Sequence, residues 1–207
     1  MIIDLTRPFP MDKERFSIKT REVYLPSEWC NYTGVCHTLT SDGMTSTYID
    51  FPGHIKECAN GETADTYPLE KLLRQEATVI HLDKVSGDGA VSADELTAAA
   101  GGIPKTPCLV LNALRSGVQV TDIDPQTVWL DRSAVDWIIS TGCHLFVSDI
   151  YERRKILGVF KILFDAGIST VCVPHDLFKL PNHALISAIC VPWPGVVQLP
   201  CRLFAEI

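Results

Sequence analysis

The chain has 207 residues, 46% hydrophobic and 21% charged, with a formal net charge of −7. That length and balance suit one domain, 1–207, with an ordinary buried core. No Lys/Arg run is longer than Arg153-Arg154-Lys155, which argues against nucleic-acid or acidic-membrane partners, since both need concentrated positive charge.

The opening residues, Met1-Ile2-Ile3-Asp4, lack a basic region and a long apolar run. No signal peptide is expected, and no apolar stretch approaches the ~20 residues of a membrane span. A cytoplasmic location is the default expectation. Residues 7 to 47 show no clear periodicity and read as loops and short strands, where pockets are often lined. Short apolar runs rich in β-branched residues predict strands at Ala77–Leu82, Cys108–Asn112, His144–Ser148, Thr170–Val173 and Leu185–Cys190. Ser92-Ala93-Asp94-Glu95 reads as a capping box that starts a helix running to about Ala100, ended by Gly101-Gly102. Asp131–Thr141 and Arg153–Ala166 read as amphipathic helices stopped by Gly142 and Gly167. Helices alternating with apolar strands predict an α/β or α+β fold around a mixed sheet. None of the eight cysteines forms a Cys-x-x-Cys pair. Several lie in apolar runs, so buried free thiols in a reducing compartment are expected.

The most informative stretch is Met44-Thr45-Ser46-Thr47-Tyr48-Ile49-Asp50-Phe51-Pro52-Gly53-His54. It resembles His-x-Gly-Thr-His-x-Asp-x-Pro-x-His, the signature of the cyclase and kynurenine formamidase-like hydrolases. Thr47, Asp50, Pro52 and His54 match that signature. Met44 and Tyr48 stand at two metal-binding His positions, and Ser46 replaces the Gly. The resemblance extends through Ile3-Asp4-Leu5-Thr6, Tyr67-Pro68-Leu69-Glu70, Val147-Ser148-Asp149-Ile150 (only the Asp kept), Asp176–Pro181 and Leu199–Ala205. It implies the cyclase-family α/β fold, a mixed β-sheet core with flanking helices. It also implies a homodimer or homotetramer with pockets near subunit contacts. Aligning Leu163 through Gly167-Ile168 puts Phe160 at a further His ligand position, or Lys161 if the register moves by one, and Cys172 at a Glu ligand position.

Family members are expected to use a divalent metal to polarise an amide or lactone carbonyl and activate water. Met44, Tyr48 and Phe160 remove three ligands, and zinc needs three or four N, O or S donors. A metal-free pocket with no cofactor is therefore expected. Zinc or manganese is the alternative, should Cys36, His37 or His175 converge on Asp50 and Cys172. The reading predicts a small-molecule enzyme with His54 as general acid/base, Asp50 orienting it or raising its pKa, and Tyr48 donating to an oxyanion. That chemistry suits cyclisation, dehydration or elimination, isomerisation, or hydrolysis of a carbonyl compound. A Cys172 thiolate would add a covalent route. The rivals are a conventional metal-dependent amidase or lactonase, a non-catalytic ligand-binding protein, and a partner subunit for an active paralogue.

Each residue also has a bland reading. Asp50 and Pro52 can shape a turn. His54, His81, His144 and His183 can be structural. Met44 and Tyr48 can plug the space left by lost ligands. Phe160 can be core and Cys172 a buried strand residue. Thr47 keeps its signature position at the pocket. Arg153-Arg154-Lys155 reads as a solvated helix start or an anion contact. Trp29 and Tyr32 read either as an aromatic wall for a flat ligand or as core or subunit contacts.

Overall fold

The apolar runs become strands, and the longest assembly is a nine-stranded mixed sheet. The computed structural model describes residues 1–9, 15–58, 60–119, 127–153 and 158–207. Its strands are β1 (Ile2–Asp4), β2 (Phe16–Leu25), β3 (Tyr32–Ser41), β4 (Tyr48–Asp50), β5 (Gln75–Lys84), β6 (Gly89–Val91), β7 (Cys108–Leu114), β8 (Val128–Leu130), β9 (Leu145–Ser148), β10 (Ser169–Cys172), β11 (His183–Ile189), β12 (Gln198–Pro200) and β13 (Arg202–Glu206). The helices are α1 (Ala93–Ala100), α2 (Arg132–Thr141) and α3 (Val159–Asp165).

The sheet order is β1-β13-β11-β5-β7-β9-β10-β4-β12. The centre, β5-β7-β9-β10, is parallel and the flanks are antiparallel. Parallel neighbours need crossovers, and α1, α2 and α3 lie in those connections. β12 and β13 lie toward opposite ends of the sheet, yet only Cys201 separates them in the chain. The sheet therefore curls until its two ends meet on one segment.

Curling creates two cores. Val79, Val110, Val147 and Val171 face an inner cluster with Phe51 and Leu203. Their neighbours Ile80, Leu109, Leu111 and Phe146 face the helices, against Leu96, Val135, Ile138 and Leu163. β7 is buried along its whole length, as a strand covered on both faces must be. That explains its unbroken run of aliphatic residues.

Local signals hold at α1 and α2. The Ser92–Glu95 capping box forms with both bonds present. Asp131 accepts from the Ala134 amide at 2.9 Å, and Gly142 closes α2 in the left-handed region. α3 departs from the expected Arg153–Ala166 helix and begins only at Val159. Gly158 at its N-cap has φ 127°, outside helical space. Glu152 accepts from the Gly158 and Phe160 amides there, both at 3.3 Å. Arg153 precedes the helix, with its guanidinium over the Trp129 ring at 4.7 Å. The expected helical residues Ile156 and Leu157 and the basic pair Arg154-Lys155 lie outside the described residues. The strand expected to reach Val173 stops at Cys172, because Val173 turns to φ 53°.

The largest correction concerns residues 7 to 47. Instead of loops and short strands, β2 and β3 are ten-residue strands paired one to one from Phe16↔Ser41 to Leu25↔Tyr32. They form a separate two-stranded ribbon, roughly 33 Å long at about 3.3 Å per residue. Both faces are largely open to solvent, so no buried face imposed an apolar alternation on the sequence. Among the described residues, no helix is long and apolar enough to cross a membrane.

Candidate functional site

The pairing register builds the site. β4 lies between β10 and β12, with Tyr48 opposite Cys172 and Pro200, and Asp50 opposite Thr170 and Gln198. Side chains two apart on a strand share a face. Tyr48, Asp50, Cys172, Thr170 and Gln198 therefore converge on the side that packs toward the helices.

Asp50 is 3% exposed. Its Oδ2 accepts from Cys172 Sγ at 3.8 Å, while Oδ1 has no hydrogen-bond partner among the described residues. The Thr170 hydroxyl opposite is likewise buried and unpartnered. Burial pushes the Asp50 carboxyl up to about 7, against the opposing influence of Gln198 and Cys172. Burial, reinforced by the charge of Asp50, raises the Cys172 thiol well above its ordinary value. Burial also raises the Tyr48 phenol, helped by Cys172 and Asp50. At neutral pH the cluster thus holds a neutral thiol and a neutral phenol around one carboxyl poised between its two forms.

Tyr48 and Cys172 line a cavity of about 160 Å³ together with Asp149, Tyr151, Glu152 and Phe160. Phe160 stacks on Tyr151, with centroids 4.8 Å apart and planes at 23°. The Tyr151 hydroxyl donates to the Val171 carbonyl at 2.8 Å. Asp149 follows β9 and accepts from the Ala113 and Leu114 amides at 2.9 and 3.0 Å. Burial pushes its carboxyl up to about 6, with those two bonds opposing. Val173, also on the cavity, holds its positive φ while its carbonyl accepts from the Thr47 hydroxyl at 2.8 Å. A β-branched residue in that conformation is strained, and such strain gathers at functional sites.

His54 ends a short turn, Pro52–His54, and is exposed. Its Nε2 lies 3.4 Å from Gln198 Nε2, so the neutral ring accepts from the carboxamide. Gln198 thus stands between His54 and Asp50. Asp50 was expected to orient His54 or raise its pKa. The ring's contact is with Gln198 instead, and burial lowers the His54 pKa, with no contribution from Asp50. The covalent role suggested for Cys172 needs a thiolate, and burial favours the protonated thiol, a poor nucleophile.

The other expected residues are dispersed. Thr47 is fully buried, and its hydroxyl is engaged by the Arg7 amide at 2.9 Å as well as by Val173, so it ties the wall together. Met44 is 45% exposed on the turn after the ribbon and does not line the cavity. Trp29, 96% exposed, lies between β2 and β3, and Tyr32 begins β3. Neither lines the cavity of its own chain. Gln198, Tyr151 and Glu152 escaped the motif-based reading. Tyr151, two residues past the matched Asp149, carried the only sequence hint.

The family's metal does not fit these donors. A thiolate, imidazole or carboxylate is needed at three or four positions. The donors around the cavity are the carboxyls of Asp50, Asp149 and Glu152 and the Cys172 thiol, and Asp149 and Glu152 are each already turned to two backbone amides. Cys36 and His37 sit on the ribbon, with His37 Nδ1 3.1 Å from Thr20 Oγ1. His175 Nδ1 lies 3.2 Å from Gln119 Oε1. Among the described residues, no group of three His, Cys, Asp or Glu is arranged to hold a metal ion.

A family profile described as "Putative cyclase" matches residues 3–152. No curated protein sequence matches the chain. Among solved structures, isatin hydrolase A from Labrenzia aggregata, bound to benzyl benzoate, is 16% identical with a TM-score of 0.76, covering 99% of this chain and 93% of that one. Isatin hydrolase A from Ralstonia solanacearum is 19% identical at TM-score 0.73, covering 99% and 91%. A "predicted metal-dependent hydrolase" from Bacillus stearothermophilus is 17% identical at 0.66, covering 99% and 97%. At these identities the likeness is one of fold.

Proposed function

The chain belongs to the cyclase family, and from that premise we propose that it is an enzyme transferring protons on a small carbonyl compound without a catalytic metal. The supporting observation is the Asp50 carboxyl, pushed up to about 7 by burial and left with one unpartnered oxygen behind Tyr48 and Cys172. A carboxyl with that pKa is matched to acid/base work at neutral pH. Tyr48, kept protonated, donates to an oxyanion in the cavity. His54, its pKa lowered by desolvation and its ring bonded to Gln198, is the acid/base at the outer side of Asp50. Proton transfer of this kind serves ring closure, elimination or hydrolysis.

The test is an assay of chelator-treated protein of measured metal content against isatin, aryl formamides and aromatic lactones. Turnover is expected at far below one metal per chain. Asp50→Asn should lower kcat by roughly 10²- to 10⁴-fold, with KM little changed. Near-stoichiometric metal that is required for turnover and lost with Asp50 would identify a conventional metal-dependent amidase or lactonase instead. The cavity of about 160 Å³ is smaller than the roughly 300–1,000 Å³ of common ligand pockets, which favours a second reading, a partner subunit for an active paralogue. That reading predicts no turnover by the chain alone and co-purification with the paralogue.

We further propose that the ribbon docks a second copy of the chain. Ile18, Tyr24, Val35 and Leu39 are all exposed and share one face, because Ile18 pairs with Leu39 and Glu22 with Val35. A lone two-stranded ribbon is marginal in water, and these exposed apolar side chains, interleaved with Thr20, His37 and Glu22, gain from cover. In that arrangement Trp29 and Tyr32 serve the cavity of the second copy. The double variant Val35→Ser, Leu39→Ser is expected to sediment as a folded monomer where the natural protein sediments as a dimer or tetramer. Identical sedimentation of the two would remove the ribbon from any interface.

A further inference from the structure

Neither Cys190 nor Cys201 lines the cavity beside Asp50, and the sheet brings the two together. β11 and β13 run antiparallel, with Ala188 opposite Leu203 and Ile189 opposite Arg202. One step further sets Cys190 opposite Cys201. The hydrogen bonds identify the kind of pair. The Leu203 carbonyl accepts from the Leu5 amide at 2.9 Å, and the Leu203 amide donates to Thr6 Oγ1 at 3.0 Å. The Cys201 amide donates to the Thr47 carbonyl at 3.0 Å. Residues 201 and 203 therefore turn their main chain away from β11. Cys190 and Cys201 form a non-hydrogen-bonded pair, in which facing Cα atoms lie about 4.5 Å apart and side chains are closest. A disulfide spans roughly 4.4–6.8 Å between Cα atoms.

The side chains also share a face. Ile186, Ala188, Leu203 and Ala205 belong to the same inner cluster as Cys201, and Cys190 packs against it. Both cysteines line one open cavity of about 620 Å³. Cys190 is partly exposed, while Cys201 is buried.

We propose that Cys190 and Cys201 are a cross-strand dithiol that closes to a disulfide by exchange with a small-molecule disulfide such as oxidised glutathione. The accessible Cys190, as thiolate, attacks one glutathione sulfur. The glutathione S–S bond breaks, and one glutathione thiolate leaves. Cys201, on losing its proton, attacks the Cys190 sulfur of the mixed disulfide and expels the second glutathione thiolate. The two protons lost by the cysteines end on the two released glutathiones, so the protein is oxidised and the glutathione reduced. Burial raises both thiols, so exchange is slow at neutral pH and faster in mild alkali. Closure staples β11 to the segment that closes the sheet and carries Gln198.

The full-length folded protein is incubated with excess oxidised glutathione, then denatured, alkylated and digested. Two of the eight thiols are expected to be lost to one cross-link joining the peptides that contain Cys190 and Cys201, and dithiothreitol should restore both. Cys190→Ser should leave Cys201 alkylated, with no new cross-link. The proposal is overturned if Cys190 stops as a mixed disulfide while Cys201 stays alkylated. It is equally overturned if both remain thiols while the exposed Cys30 reacts.

Discussion

Asp50→Asn is expected to be more stable than the natural protein above pH 7 and no more stable near pH 4. The carboxyl moves from its ordinary 3.8 to about 7 on folding, chiefly through burial. A carboxyl raised in this way holds its proton more tightly when folded. It therefore imposes no penalty below about 4, where both states are protonated. The cost of burying the charge grows as the pH rises from about 4 to about 7, and is fully present above. The displacement corresponds to about 4 kcal/mol, an upper figure because an Asn amide does not reproduce the neutral acid's hydrogen bonding. Urea unfolding of both proteins at pH 4, 5, 6, 7 and 8 checks it. Asp149, also raised, is present in both and cancels. Stability curves that stay parallel across that range would mean Asp50 is ordinary in the folded state, and the proton-transfer reading would lose its acid. A gain in stability accompanied by loss of turnover is the behaviour of a residue kept for chemistry.

Asp149→Ala should move stability in the other direction. The Asp149 carboxylate takes both the Ala113 and Leu114 amides at the end of β7, where every residue of the strand is buried. Each buried donor left without an acceptor costs about 1–3 kcal/mol, and the space vacated adds a further loss. The lost bonds and vacated space outweigh the relief of burying the Asp149 charge, which its raised pKa implies, and a net loss of about 1–2 kcal/mol is expected, read as a lower urea midpoint at pH 7. Asp149→Asn, which keeps one acceptor but turns an amide toward the other donor, should fall between. An unchanged midpoint for Asp149→Ala would show that the end of β7 finds other partners.

The central strands and two helices were legible because their causes are local. Leu109, Val110 and Leu111 are buried on both faces and so appear as an unbroken apolar run. Ser92 with Glu95, and Asp131 with Gly142, carry their caps in adjacent residues. The ribbon was illegible for the opposite reason. Its strands pair only with each other, and nothing in the chain's own core selects which of their side chains are apolar. The late start of α3 rests on the backbone angle of Gly158 and on the reach of Glu152 back to two amides.

The candidate site divides along the same line. The sequence by itself determined the family, the absence of imidazole at Met44, Tyr48 and Phe160, and the presence of a carboxyl at Asp50, because residue identity at motif positions needs no coordinates. Only the tertiary structure decided that Cys172 and Thr170 from β10 and Gln198 from β12 meet Tyr48 and Asp50 on one face, since strand register joins segments distant in the chain. It also decided that Gln198 separates His54 from Asp50, and that Asp50, rather than His54, carries the raised pKa. Burial sets that pKa, and burial belongs to the packed whole.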